Sequence, residues 1–390
     1  MAVATTKSGP YYSSGEIKFS SLRSNFRTQV RKQTSSGSET FNTDTAAIKA
    51  SELLRNVITT DTNPKVPDAT ENANISTSSN WKLSQFRGSI KYYYITQSNT
   101  DLNFDIGAQS WNSNLDKNIN KFMFIDGICG SNNAVLPASQ LSATAFNLTV
   151  DIYGSILGAS GKGGGTSGAD AISGQKGGDA LEMNSTSGAN NIVLIRTGSK
   201  IYGGGGGGEK GKTGNNGTGG NCYDSFTNYG GCNCPGCPGG WTDGGCGQNY
   251  GNHCSRRQVC GCWGNCWWQS NGDTRYNFCY KNYSVNGGTG GTGGNGGPGR
   301  GYNNQSSSLA GDIGITGGAR QGCYQGGNYT STPSDGENGE TGGSGGDWAS
   351  AGGNTNNSGN GGGSGKAIFG SNYSVSGTIN SSTVKGLYNP

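Results

Sequence analysis

Hydrophobic positions change their spacing three times along the chain. In "SGEIKFSSLRSNFRTQVRK" Phe19, Leu22, Phe26 and Val30 recur at three- and four-residue steps, which predicts one face of a short helix. Lys18, Arg23, Arg27 and Arg31 spread over its remaining surface and read as the solvated basic side of a docking helix. A second helical turn is predicted over "AAIKASELLRN", from Ala46 to Asn56, before a polar stretch with Pro64 and Pro67 ends it. From about Trp81 to Ser155 the period becomes two, that of a half-buried strand. Ile90, Tyr92 and Tyr94 share a face, as do Leu102, Phe104 and Ile106, and again Phe146, Leu148, Val150 and Ile152. "KFMFIDGIC" predicts a more deeply buried strand, in which Cys129 serves as a small hydrophobe rather than a reactive thiol.

After Tyr153 the pattern repeats. "VDIYGSILGASGKGGG" returns as "VLIRTGSKIYGGGGGG", a shorter copy follows Ala367 in "AIFGSNYSVSGTI", and "GGDALEM" around Ala180 resembles "SGKAIFG" around Ala367. Each copy joins alternating apolar residues, a Gly-Ser turn and a glycine run, the mark of strands or rungs laid over one another. The expected fold is therefore mainly β. It comprises an attachment module over 1–70, an antiparallel β domain over 71–155, and a glycine-rich region over 156–390 with an insert over 221–280.

Composition sharpens this picture. Of 390 residues 75 are glycine, 30 % are hydrophobic and 13 % charged, so one large conventional core is not expected. The net charge of +4 is small and its lysines and arginines are scattered, which argues against a nucleic-acid partner. No run approaches the roughly 18 apolar residues of a membrane span, and no secretion signal is visible at the amino terminus. Yet ten of twelve cysteines lie between Cys222 and Cys279, a density typical of oxidising surroundings. A virion protein reconciles the two, being made in a cytoplasm, released by lysis and active outside the cell.

"YGGGGGGEKGKTG" contains G-x-x-x-x-G-K-T from Gly206 to Thr213, the letters of a phosphate-binding loop. Such a loop needs a helix after it, and "NNGTGGNCYDS" cannot supply one. The chain is not read as an NTPase, and no cofactor is expected. Collagen is excluded because "GGTGGTGGNGGPGRG" lacks a sustained G-X-Y register. The remaining ordered choice is a bundle of polyproline-II-like strands whose backbones approach and hydrogen-bond directly, the alternative being a flexible linker.

Four segments resemble glycine-rich adhesins and tail-fibre proteins of tailed bacteriophages, in particular structural proteins of marine T4-like phages. They are "GEIKFSSLRSNF", "VPDATENANISTSSNWKLSQFRGSIKYYYI", "IVLIRTGSKIYGGGGGG" and "GSGKAIFGSNYSVSGTI". The resemblance implies a polyglycine-II sandwich whose far loops touch the host surface. The cysteine-rich insert departs from that family.

The insert's chemistry stands on its own. Cys222, Cys232, Cys234, Cys237, Cys246, Cys254, Cys260, Cys262, Cys266 and Cys279 suit a disulfide-stapled loop in a segment too small for a core. Zinc is the competing reading, with Cys234 and Cys237 as one pair, Cys262 and Cys266 as another, and His253 as a further ligand. Cys323 is a potential partner from outside the insert. Trp241, Tyr250, Arg256, Arg257, Trp263, Trp267, Trp268, Arg275 and Tyr276 form the candidate receptor-binding set, since flat rings stack on sugars or fill protein pockets and arginine supplies forked donors. Some of these rings also serve as a miniature core. Asp224, Asp243 and Asp273 lie in turn-forming contexts, and the single histidine has no nucleophile motif around it, so an enzyme is not expected and a glycan depolymerase remains a minor reading.

The expected protein is a tail-fibre or adhesin component of the virion. Its amino-terminal module would bind other tail proteins, and its insert would bind a host glycan or outer-membrane protein. A homotrimer is one assembly to test. The competing reading is a purely structural part, such as a fibre connector or capsid decoration.

Overall fold

The computed structural model describes residues 6–8, 31–34, 37–40, 55, 66, 72–78, 82–86, 89, 92–111, 114–117, 119–166, 172–230, 242–249, 256–260, 266–270, 274–307, 309–323 and 327–388; before residue 40 and between 226 and 280 it describes the backbone alone. Two compact units result. Met1–Gly211, Asn295–Asp312 and Gly342–Pro390 make the first, and Lys212–Gly294 with Ile313–Thr341 the second.

The first unit contains a three-faced β-coil. Its first rung is β4 (Tyr92–Gln97), β5 (Thr100–Leu102) and β6 (Phe104–Asp105), preceded by β1 (Thr6–Ser8) on the edge of β4 and by a separate hairpin of β2 (Arg31–Thr34) and β3 (Gly37–Thr40). The second rung is β7 (Lys121–Ile125), β8 (Ile128–Gly130) and β9 (Ser139–Leu141), and the third is β10 (Leu148–Ile152), β11 (Ser155–Leu157) and β12 (Leu181–Asn184). β13 (Asn191–Ile195), β14 (Lys200–Tyr202) and β21 (Ile368–Ser371) make the fourth, and β22 (Tyr373–Gly377) with β23 (Val384–Lys385) the last. Like faces stack into three sheets, β4-β7-β10-β13-β22, β5-β8-β11-β14-β23 and β6-β9-β12-β21.

The repeat read in the sequence is this stacking. Val150 lies in register with Val193, Ile156 with Ile201, and Leu181 with Ile368. Apolar ladders fill the interior, for example Ile95, Met123, Val150 and Val193, with Val375 packed against them. Cys129 sits in this core, fully buried, and burial pushes its thiol far above the ordinary cysteine range, as expected of a small hydrophobe.

Three expectations change. Rung strands pair in parallel and, among the described strands, only β1 meets the coil antiparallel, because alternation of period two has no strand direction. Leu102 is 50 % exposed while Phe104 and Ile106 are buried, since Asn103 between them turns a corner at φ 50°. Arg31 and Lys32 belong to β2 rather than to a helix, whereas Phe19, Leu22, Phe26, Val30, Ile90 and the turn over 46–54 lie outside the described residues.

Corners recur with the same chemistry. Asn147, Asn190 and Asn372 each immediately precede or adjoin the start of a first-face strand, with φ of 50°, 52° and 56°. Asparagine tolerates this left-handed region better than other residues with a Cβ. Asn190→Ala is expected to cost about 1 kcal/mol in chemical denaturation, and Asn190→Gly close to nothing. Asn191, buried beside one corner, donates to the Ala145 carbonyl and the Ser185 hydroxyl and accepts from the Leu148 N–H, tying rungs together.

Glycine strands interrupt this coil between its second and third faces, after β11 and again after β14. Residues 203–210 run at the centre of one bundle. Gly204, Gly207 and Lys210 donate backbone bonds to Gly178, Gln175 and Ile172; Gly205 and Gly208 donate to Arg300 and Gly297; Gly206 and Glu209 donate to Ser350 and Gly353. Carbonyls of the same strand accept from Gly161 and Gly164, from Gly346 and Gly343, and from Gly365 and Gly362. Each direction repeats every third residue, the period of polyproline II, so this strand has six neighbours. A Cβ on Gly206 or Gly207 would overlap the carbonyl oxygen of Gly362 or Lys162, which explains why the run is glycine. The apparent phosphate loop is thus the centre of a backbone-bonded bundle.

Candidate functional site

The second unit begins with the same construction. Gly214 and Gly217 donate to Gly291 and Gly288, which donate in turn to Glu337 and Ser334; Ile315 and Gly318 donate to Thr292 and Thr289, and Gly339 and Gly336 donate back to Ile315 and Gly318. Side chains on adjacent strands accept several further N–H groups of this bundle. Asn216 accepts from Gly290, Asn338 from Gly317, Asp335 from Arg320, and Glu337 from Asn215. This accounts for the asparagines and acids scattered among the glycines, because a buried or edge N–H without a partner is costly. Glu209 does similar work inside the first unit: it is fully buried and accepts from the N–H groups of Thr355 and Gly359.

The glycine strands of the second unit lead into an antiparallel sheet of order β16-β19-β15-β20. Its members are β15 (Gly220–Gly230), β16 (Thr242–Asn249), β19 (Thr274–Val285) and β20 (Asn328–Ser331), and β17 (Arg256–Cys260) pairs with β18 (Cys266–Ser270). β15 and β19 are in register from Gly220 opposite Val285 to Gly230 opposite Arg275. Buried Asp224 accepts a 2.6 Å bond from the Tyr283 hydroxyl, and the Arg320 guanidinium lies 5.7 Å over the Tyr329 ring. Cys222, fully buried, is disulfide-bonded to Cys323 across 101 residues of chain.

The backbone places part of the candidate binding set together. Arg256 and Arg257 in β17 stand opposite Ser270 and Gln269, and Trp267 and Trp268 in β18 stand opposite Val259 and Gln258. Arg275 and Tyr276 lie in β19, opposite Gly230 and Tyr229 on one side and Gln248 and Gly247 on the other. Trp241, Tyr250 and Trp263 lie outside the described residues, as do Cys232, Cys234, Cys237, Cys254 and Cys262. Cys260 is in register with Cys266, Cys246 with Asn277, and Cys279 with Phe226 and Asp243. Among the described residues no group of histidine, cysteine and acid side chains is arranged to hold a metal ion.

Sequence reading missed the ionic and polar anchors. Asp151, almost fully buried on the outer side of β10, accepts two bonds from Arg196, at 2.7 and 2.8 Å, while that guanidinium also lies 5.1 Å over the Tyr153 ring. Lys121 points into the coil and donates to the carbonyls of Lys117, Ile119 and Phe146, each at 2.6 Å. Burial lowers its pKa to about 7, against the opposing pull of Asp116. The only sequence signal for these anchors was a charged residue inside an apolar alternation, at Lys121 and at Asp151.

A parallel β-coil interrupted by backbone-bonded glycine strands, and a second unit in which glycine strands lead into an antiparallel sheet, define a glycine-strand β protein. Within it, the phage tail fibre adhesin Gp38 family matches residues 91–312, more than half of the chain, and the protein belongs to that family. No curated protein shows a sequence match. Among solved structures, the gp37-gp38 adhesin tip complex of the bacteriophage S16 long tail fiber is similar at 17 % identity, over 80 % of this chain and 88 % of that one, with a TM-score of 0.34.

Proposed function

We propose that this tail-fibre adhesin binds the host surface through the aromatic and arginine residues of its 221–280 insert, and binds other tail proteins through residues 1–70. The observation that supports the receptor reading is the unequal placement of chemistry: Trp267 and Trp268 in β18, Arg256 and Arg257 in β17, and Arg275 and Tyr276 in β19 all belong to the second unit. Large flat rings beside forked donors suit a glycan or an outer-membrane protein loop, and residues of these types dominate binding energy elsewhere. The segments resembling T4-like phage proteins suggest a phage of that type.

Purified protein should compete with phage for adsorption to host cells. Trp267→Ala and Trp268→Ala together should weaken cell binding at least 10-fold, the effect of losing about 1.4 kcal/mol, with the circular dichroism spectrum unchanged. Absence of competition by the intact protein would instead favour a fibre connector with no receptor role.

A further inference from the structure

The Cys222–Cys323 bond joins two segments that other interactions already hold together. On one side of Cys323, Gln321 donates its N–H to the Asn286 carbonyl and its side chain accepts from the Asn286 N–H. Beside it, the Arg320 N–H is held by Asp335, and the Arg320 guanidinium donates to the Pro333 carbonyl. On the other side, β20 pairs with β15, with Tyr329 opposite Cys222 and Asn328 opposite Tyr223. The Tyr329 hydroxyl donates to the Gln321 carbonyl at 3.1 Å, bridging the two flanks, and Thr330 donates to the Asn221 carbonyl. None of these contacts needs the sulfur–sulfur bond. Two thiols set so close by independent contacts react as an intramolecular pair, at a high effective concentration.

We propose that the reduced chain already folds with Cys222 and Cys323 adjacent, and that their bond closes only after the protein leaves the reducing cytoplasm in which it is made, locking the second unit at release. This rests on the tail-fibre reading given above. Two S–H bonds break and one S–S bond forms; two protons and two electrons pass to dissolved dioxygen, giving hydrogen peroxide. A cytoplasmic thiol pool opposes the bond, and its loss at lysis removes that opposition. Cys129 takes no part, being sealed in the coil interior of the first unit.

The test takes phage-infected cells quenched in acid with an alkylating agent before lysis, and particles released afterwards, and maps the peptides carrying Cys222 and Cys323 by mass spectrometry. Both sites are expected alkylated before lysis and joined to each other after it. A Cys222–Cys323 bond present before lysis, or free thiols at these two positions in released particles, overturns the proposal. In parallel, hydrogen exchange on the full-length Cys323→Ser protein should show protection retained over 287–294 and 313–321 and reduced only near Asn328–Ser331. Loss of protection throughout those glycine strands would overturn the claim that the reduced form is folded. Adsorption competition by the oxidised protein is read separately, so failure of the adhesin reading and failure of the redox lock give different results.

Discussion

Gly207→Val should dismantle the glycine bundle of the first unit, whereas Gly363→Ala in the same bundle should leave its thermal midpoint nearly unchanged. At Gly207 a Cβ would already overlap the Lys162 carbonyl and the following Gly163 N–H, and these belong to a backbone strand that cannot step aside without losing its own bonds. At Gly363 the nearest atom to a new Cβ is the flexible Lys176 Cγ, 3.9 Å away. Overpacking against backbone costs on the order of 3 kcal/mol or more, and the alanine at the open site costs little. Calorimetry on both variants separates a close-packed bundle from a flexible tract. Equal tolerance at the two positions would mean that residues 203–210 do not have six bonded neighbours.

Lys121→Met should be comparably severe. The three carbonyls of Lys117, Ile119 and Phe146 would keep their burial and lose their shared donor, at a cost on the order of 3 kcal/mol or more. The pH dependence carries a sign that a purely steric lesion would not. Folded Lys121 titrates near 7 and the unfolded side chain near its ordinary 10.5, so between those values the unfolded chain binds more protons and wild-type stability rises with pH. Below 7 both states are protonated and the contribution is flat. Urea midpoints measured from pH 6 to 10 should therefore rise more in the wild type than in Lys121→Met. Parallel profiles would show that Lys121 keeps its ordinary pKa despite burial.

Particular residues show how much was legible in advance. Val150 and Val193, or Ala180 and Ala367, stand at like positions of visible repeats, and the structure stacks them because apolar ladders shield one another from water. The glycine run at 203–208 was readable as ordered strand because it sits inside that repeat. Cys129 was readable as core from its apolar neighbours. Lys121 and Glu209 were not, since a lysine in a strand pattern and a glutamate beside glycines carry no mark of the carbonyls or N–H groups they will meet. Arg256, Arg257, Trp267, Trp268, Arg275 and Tyr276 stood out by residue type alone, and their placement in β17, β18 and β19 did not.

The sequence by itself determined a mainly β chain, rungs of like residues, a glycine framework and a separate aromatic, cysteine-dense insert. Each follows from side-chain pattern or from its absence, properties local to a few residues. Only the tertiary structure decided that the rungs are parallel, that glycine strands enter between the second and third faces of the coil, and that Cys222 meets Cys323. The reason is physical: alternation looks the same in either strand direction, and a polyglycine strand has no side chains to name its neighbours. Its partners are chosen by backbone bonds closing in three directions at once, which exist only when the distant strands are already in place.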